Sequence, residues 1–168
     1  KVYPWVKPDL SEQTLEPSTP YTGDFITGKL MGDLFLLYVE DKGDSFSVLF
    51  NKDLPAGMSS EQFHAMSVKN LRRDIAFTLK EPAPGCSMII AGGDHEAGAL
   101  CLPELWVKWS AERKDDLVVA PLSKDVVLFA AAHDADAQDV MAQLIKRMDR
   151  KLERLLTKKR FLYTVKGA

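Results

Sequence analysis

Two strand-forming runs, residues 117–122 and 125–131, stand only a Ser123-Lys124 dipeptide apart, which predicts a hairpin although the dipeptide lacks the glycine of a primed turn. Two further pairs precede it. Residues 33–39 and 46–50 flank a short polar gap in which Gly43 can supply a positive φ, and residues 76–79 and 87–91 flank the turn-forming cluster EPAPG at 81–85. A stretch with helical character follows each pair. Ser59 stands three residues before Gln62, the capping-box spacing, and Phe63, Met66, Val68, Leu71 and Ile75 supply the apolar pattern of the first. The second follows Gly92-Gly93 with Asp94 as its expected N-cap. Pro103 either kinks that helix or starts another, and Leu105, Trp106 and Trp109 give it a broad apolar face. The third is expected from about Asp136 to Leu156, striped by Met141, Leu144, Ile145, Met148, Leu152 and Leu155, with a short strand at 160–165 after it.

This order predicts an α+β fold: an antiparallel or mixed sheet built from three hairpin-then-helix units, with helices mainly on one face. At 168 residues the expectation is a single domain over 1–168. Within it, 1–30 reads as an extended N-terminal arm, since Pro4, Pro8, Pro17 and Pro20 punctuate it and Tyr3 and Trp5 offer pairing near Val2–Val6. Residues 136–168 read as a basic C-terminal helix plus short strand. Expected core residues are Leu34, Leu36, Tyr38, Phe63, Leu71, Ile89, Leu105, Trp106, Val118, Val127, Phe129, Leu144 and Met148. No apolar run approaches the length of a membrane span. Two cysteines, Cys86 and Cys101, are too few for a disulfide scaffold; with no cationic-then-apolar leader in view, the expectation is free thiols in the cytoplasm.

The segments VYPWVKP at 2–8, GDLFLLYVED at 32–41, MSVKNLR at 66–72, AGGDHEA at 91–97, Leu105-Trp106, and DLVVAPLSKDVVLF at 116–129 stand in a fixed order along the chain. Taken together they resemble the YtpQ-like bacterial proteins, a family of unknown function. Their order and spacing cover roughly residues 1–131. The resemblance implies an α+β fold and a cytoplasmic bacterial protein, and it implies no reaction. Asp94-His95 departs from the family's Asn followed by an aromatic, and the basic C-terminal helix is not a family feature.

Chemistry-bearing candidates are few. In the Gly92–Glu96 turn, two glycines could present backbone N–H groups to an anion, and His95 could act as a base near neutral pH. The turn lacks the other glycines of a dinucleotide fingerprint and the Gly-Lys-Ser/Thr of a phosphate loop. Capping by Asp94, with Glu96 beside the positive helix end, accounts for the same residues. The histidines His64, His95 and His133 are isolated, so no metal site is expected; no Gly-x-Ser-x-Gly elbow is present, and no cofactor is expected. Asn70, inside the first helix, is expected to hydrogen-bond a neighbouring loop or sheet edge.

Charge is the stronger signal. Residues 146–160 carry Lys146, Arg147, Arg150, Lys151, Arg154, Lys158, Lys159 and Arg160 against Asp149 and Glu153, a net +6 that leaves −8 for the rest of the chain. A solvated helix face, or a basic helix against the protein's own acidic surface, is the plain account. Arg147, Arg150, Arg154 and Lys158 would otherwise serve an acidic protein partner. Nucleic acid is disfavoured, because no aromatics interleave the charges and the pI of about 5.9 is acidic. The leading expectation is a non-catalytic protein-binding module, such as a small bacterial immunity or accessory protein. The alternatives are a hydrolase or transferase using Asp94, His95 and Glu96, and a nucleic-acid binder working through the last helix.

Overall fold

The computed structural model describes residues 1–8, 25–149 and 156–164. The chain divides into two compact units, Lys1–Ile75 and Ala76–Ala168, each with its own antiparallel sheet. The class is α+β, and each of the three hairpins is followed by helix.

In the first unit the sheet is organised around β3 (Leu34–Asp41), whose apolar run leaves Leu34, Leu36, Leu37, Tyr38 and Val39 buried. Adjacent positions are buried alike, as expected of a strand enclosed on both faces. β1 (Val2–Pro8) pairs along one side of it from Val2↔Glu40 to Pro8↔Leu34, while β2 (Thr27–Lys29) and β4 (Phe46–Val48) share the other side. The expected arm is therefore a full sheet strand at 2–8. Residues 9–24 of that arm lie outside the described residues. Gly43 turns the β3–β4 hairpin at φ 93°.

Helix α1 (Ser60–Asp74) starts at the expected capping box, with Gln62 N–H donating to Ser59 Oγ (3.1 Å) and Ser59 N–H to Gln62 Oε1 (2.8 Å). It buries Phe63, Ser67, Val68 and Leu71, one stripe at helical spacing. Asn70 Nδ2 donates to the Val2 carbonyl at 3.1 Å, so the mid-helix Asn ties α1 to the edge strand β1. One turn on, Asp74 accepts from Tyr3 Oη at 2.9 Å and pairs with Arg73.

In the second unit the strand order is β5 (Thr78–Ala83), β6 (Cys86–Ile90), β8 (Val126–Ala131), β7 (Leu117–Ser123), β9 (Phe161–Tyr163). Alternation along these strands makes two apolar faces. Cys86, Ala120, Leu122, Leu128 and Ala130 pack against Ala137 and Met141 of α3 (Ala135–Asp149). On the opposite face Phe129 meets Trp106 (5.4 Å, edge-on) and Trp109 (5.2 Å, stacked) of α2 (Pro103–Arg113). Helices thus cover both faces of this sheet, not mainly one.

The guanidinium of Arg113 lies over the Phe129 ring at 4.7 Å and donates to Ser87 Oγ and the Trp109 carbonyl. Pro103 is the first residue of α2, with a separate 3-10 helix (Glu96–Cys101) before it. Of the expected core, Leu105, Val118, Leu144 and Met148 are only half-buried, and the others are buried.

The β7–β8 hairpin turns at Lys124-Asp125, one residue later than expected, with Ser123 paired to Val126. Neither turn residue has a positive φ. A register irregularity lies between Pro121 and Ser123, just before the turn. β9 pairs with β7 over Val119 to Leu117 and extends the sheet by one strand.

Candidate functional site

At the Gly92–Glu96 turn, Gly92 and Gly93 both adopt positive φ (80° and 91°), folding the chain back after β6. The reversal brings Glu96 under the turn, where its Oε1 accepts from the backbone N–H of Gly93 (2.6 Å) and of buried Ala91 (3.0 Å). Glu96 is 3% exposed and His95 7% exposed. Asp94 points outward, 3.1 Å from Lys124 Nζ, while the Lys124 carbonyl accepts from Ala97 N–H at 3.0 Å. The turn is thereby fastened to the β7–β8 hairpin end.

Two expectations fail here. Asp94 does not cap a helix: the 3-10 helix begins at Glu96, its N-cap residue is His95, and no side chain caps it. Nor do Asp94, His95 and Glu96 converge on solvent, since the imidazole of His95 and the acid of Glu96 are buried. A general base must reach a substrate proton, and these two are shut away from one. Glu96 is a carboxylate that holds backbone donors together.

The cationic candidates divide differently. Arg150 and Arg154 lie outside the described residues. Arg147, with Lys146, is exposed in the last described turn of α3, and Lys158, with Lys159 and Arg160, is exposed just before β9. Among the described residues, none of these five cations forms an ion pair with a carboxylate.

Beside β9 runs an open groove of about 510 Å3, walled by Val107 and Ala111 of α2 and Tyr163 of β9, with Lys114, Asp115 and Asp116 at its end. Val107 is 50% exposed and Leu162 61%, large apolar exposures that sit close to the same strand. Lys114, the C-cap of α2, takes the left-handed conformation (φ 54°) that lets the chain turn from the helix into β7. Asp115 then accepts from the His133 backbone N–H at 2.9 Å and lies 2.6 Å from its Nδ1. That hydrogen bond holds the Asp115 carboxyl below, and the His133 imidazole above, its ordinary range.

Neither Val107 nor Leu162 stood out in the sequence. Their signal is exposure, which depends on where the sheet ends. Cys86 and Cys101 are free thiols, as expected, and burial pushes them up to about 11 and about 12. Among the described residues no group of His, Cys, Asp and Glu is placed to hold a metal ion, and no helix is long and apolar enough to cross a membrane. No family model, curated protein or solved structure matches the chain.

Proposed function

We propose that this chain is a non-catalytic protein-binding module that engages an acidic partner through the cationic surface of its second unit. The observation that carries the reading is the set of exposed cations, Lys146, Arg147, Lys158, Lys159 and Arg160, with no carboxylate paired to any of them among the described residues. Exposed like charges that the fold does not neutralise raise the rate of encounter with an oppositely charged surface. Burial of His95 and Glu96 weighs against the hydrolase or transferase alternative. We place the protein among YtpQ-like bacterial proteins, as an accessory or immunity protein of the cytoplasm, where its two thiols stay reduced.

The test reverses charge at Arg147, Arg150, Arg154 and Lys158. Fluorescein-labelled poly-L-glutamate and mixed-sequence duplex DNA are titrated against both proteins over a range of salt. The reading expects the native protein to bind poly-L-glutamate, with an association rate that falls in the variant and as salt rises, because exposed charges are screened within about 10 Å at 0.1 M salt. Tighter binding of DNA, with log affinity falling linearly against log salt, would move the function to nucleic acid. Equal binding of poly-L-glutamate by native and variant protein would leave the cations as a solvated face and end the proposal.

A further inference from the structure

The two edges of the second sheet are finished in opposite ways. β5 carries exposed Lys80 and Glu81, has Pro82 within the strand, and loses register between Lys80 and Ala83. Charge, proline and irregular register are the devices that stop another chain from pairing with an edge. β9 carries none of these three, and its one blunting feature is its length of three residues. It reads Phe161-Leu162-Tyr163, and among the described residues β7 is its one strand partner.

Three features converge on that edge. Leu162, paired with Val118, is 61% exposed on the α3 side of the sheet. On the α2 side lies the groove between Val107, Ala111 and Tyr163. Lys158, Lys159 and Arg160 stand exposed at the Phe161 end. An extended segment laid along β9 has side chains that alternate between the two sides, so one set covers Leu162 and the other enters the groove.

We propose that β9 receives an acidic segment of a partner protein as an added antiparallel strand. In that direction the C-terminal end of the segment meets Lys158–Arg160, so its acidic residues belong there. A second copy of this chain fits less well: antiparallel pairing centred on Leu162 sets Thr164 opposite Arg160 and brings no carboxylate to the cationic flank. The proposal rests on the acidic-partner reading above and adds to it where, and in which orientation, the partner binds.

The experiment separates the two. The probe is the fluorescein-labelled peptide TVTVTVTEDE, with its reversed sequence and two versions N-methylated at alternate residues in either register. Strand addition uses the backbone donors of one register only. One N-methylated version should therefore lose about tenfold in affinity, the effect of two ordinary backbone hydrogen bonds, and the other about none. The reversed peptide should bind more weakly than TVTVTVTEDE. Leu162→Ser, which removes the apolar side chain without changing charge, should also weaken binding while an unchanged near-ultraviolet dichroism spectrum reports the intact fold. Amide exchange at 161–163 should slow on binding.

Equal binding of both N-methylated versions, or of Leu162→Ser and native protein, overturns strand addition. So does silence from the peptide at about 1 mM while poly-L-glutamate still binds, and in that case the acidic-partner reading survives. If the charge-reversed protein binds both probes as the native one does, both proposals fall.

Discussion

Truncating Glu96 should destabilise the second unit far more than truncating its exposed neighbour Asp94. In Glu96→Ala the N–H of Ala91, a residue 4% exposed, loses its acceptor and has little access to water, whereas Gly93 is exposed and its N–H can turn to solvent. Stranding the first donor costs about 2 kcal/mol, and exchanging the second for water about 1 kcal/mol. Removal of the one buried methylene, Cγ, adds about 1 kcal/mol. The other carboxylate oxygen, buried without a hydrogen-bond partner among the described residues, offsets about 1 kcal/mol when it is removed. The net loss is about 3 kcal/mol for Ala, and about 1 kcal/mol for Gln, which keeps the accepting oxygen but not its charge. Asp94→Ala removes only a half-exposed ion pair with Lys124 and should cost about 0.5 kcal/mol or less. Urea unfolding followed by the fluorescence of Trp106 and Trp109, in a Trp5→Phe background, measures all three. An Asp94→Ala loss equal to that of Glu96→Ala would refute the reasoning and restore Asp94 as the cap.

Gly85→Ala, at φ 77° with a Cβ that would stand 2.7 Å from the Ala137 Cβ, should cost about 2 kcal/mol by strain and overpacking in the same unfolding assay. The His133–Asp115 pair makes a pH-dependent contribution with a defined window. The part due to raised His133 is fully present below its ordinary 6.5 and lost as pH climbs through the higher folded value, while the part due to lowered Asp115 is present above 3.8 and lost as pH falls. A nuclear magnetic resonance titration should show the His133 midpoint dropping in Asp115→Asn; an unchanged midpoint would contradict the assignment. Cys86 and Cys101 should resist alkylation at pH 8 in the folded protein, and both should react once it is unfolded, as counted by mass spectrometry. A Cys86–Cys101 bridge in protein purified without reductant would oppose this.

Local signals in the sequence were sound where the chemistry is local. The Ser59–Gln62 capping box and the Gly43 turn each depend on a few adjacent residues and stand where the spacing puts them, while Pro103, which left a kink or a new helix open, starts a helix. The hairpin-then-helix order was legible for the same reason. Two sheets, and two covered faces in the second, were not, because periodicity shows that a strand has an apolar side but not which helix covers it. The site was misread at Asp94 because acid–acid neighbours look alike in sequence. Only the double reversal at Gly92 and Gly93 makes Glu96, two residues on, the one that reaches the backbone donors. The exposed edge at Leu162 was silent for a related reason: an alternating FLY is the same string in an inner strand and an outer one.

The sheet of the second unit is assembled out of sequence order, and this has a consequence for synthesis. β7 is made well before β9, and β8 follows it within a few residues and takes one of its sides. Its other side, along Leu117, Val118 and Val119, waits until residue 163 has been added. Throughout that interval a nascent chain displays a β-branched, uncharged strand with unmet backbone groups, the kind of surface that pairs with neighbouring nascent chains. A chain truncated before residue 161 should therefore associate more during refolding than one that extends past 163, in which β9 covers that side of β7.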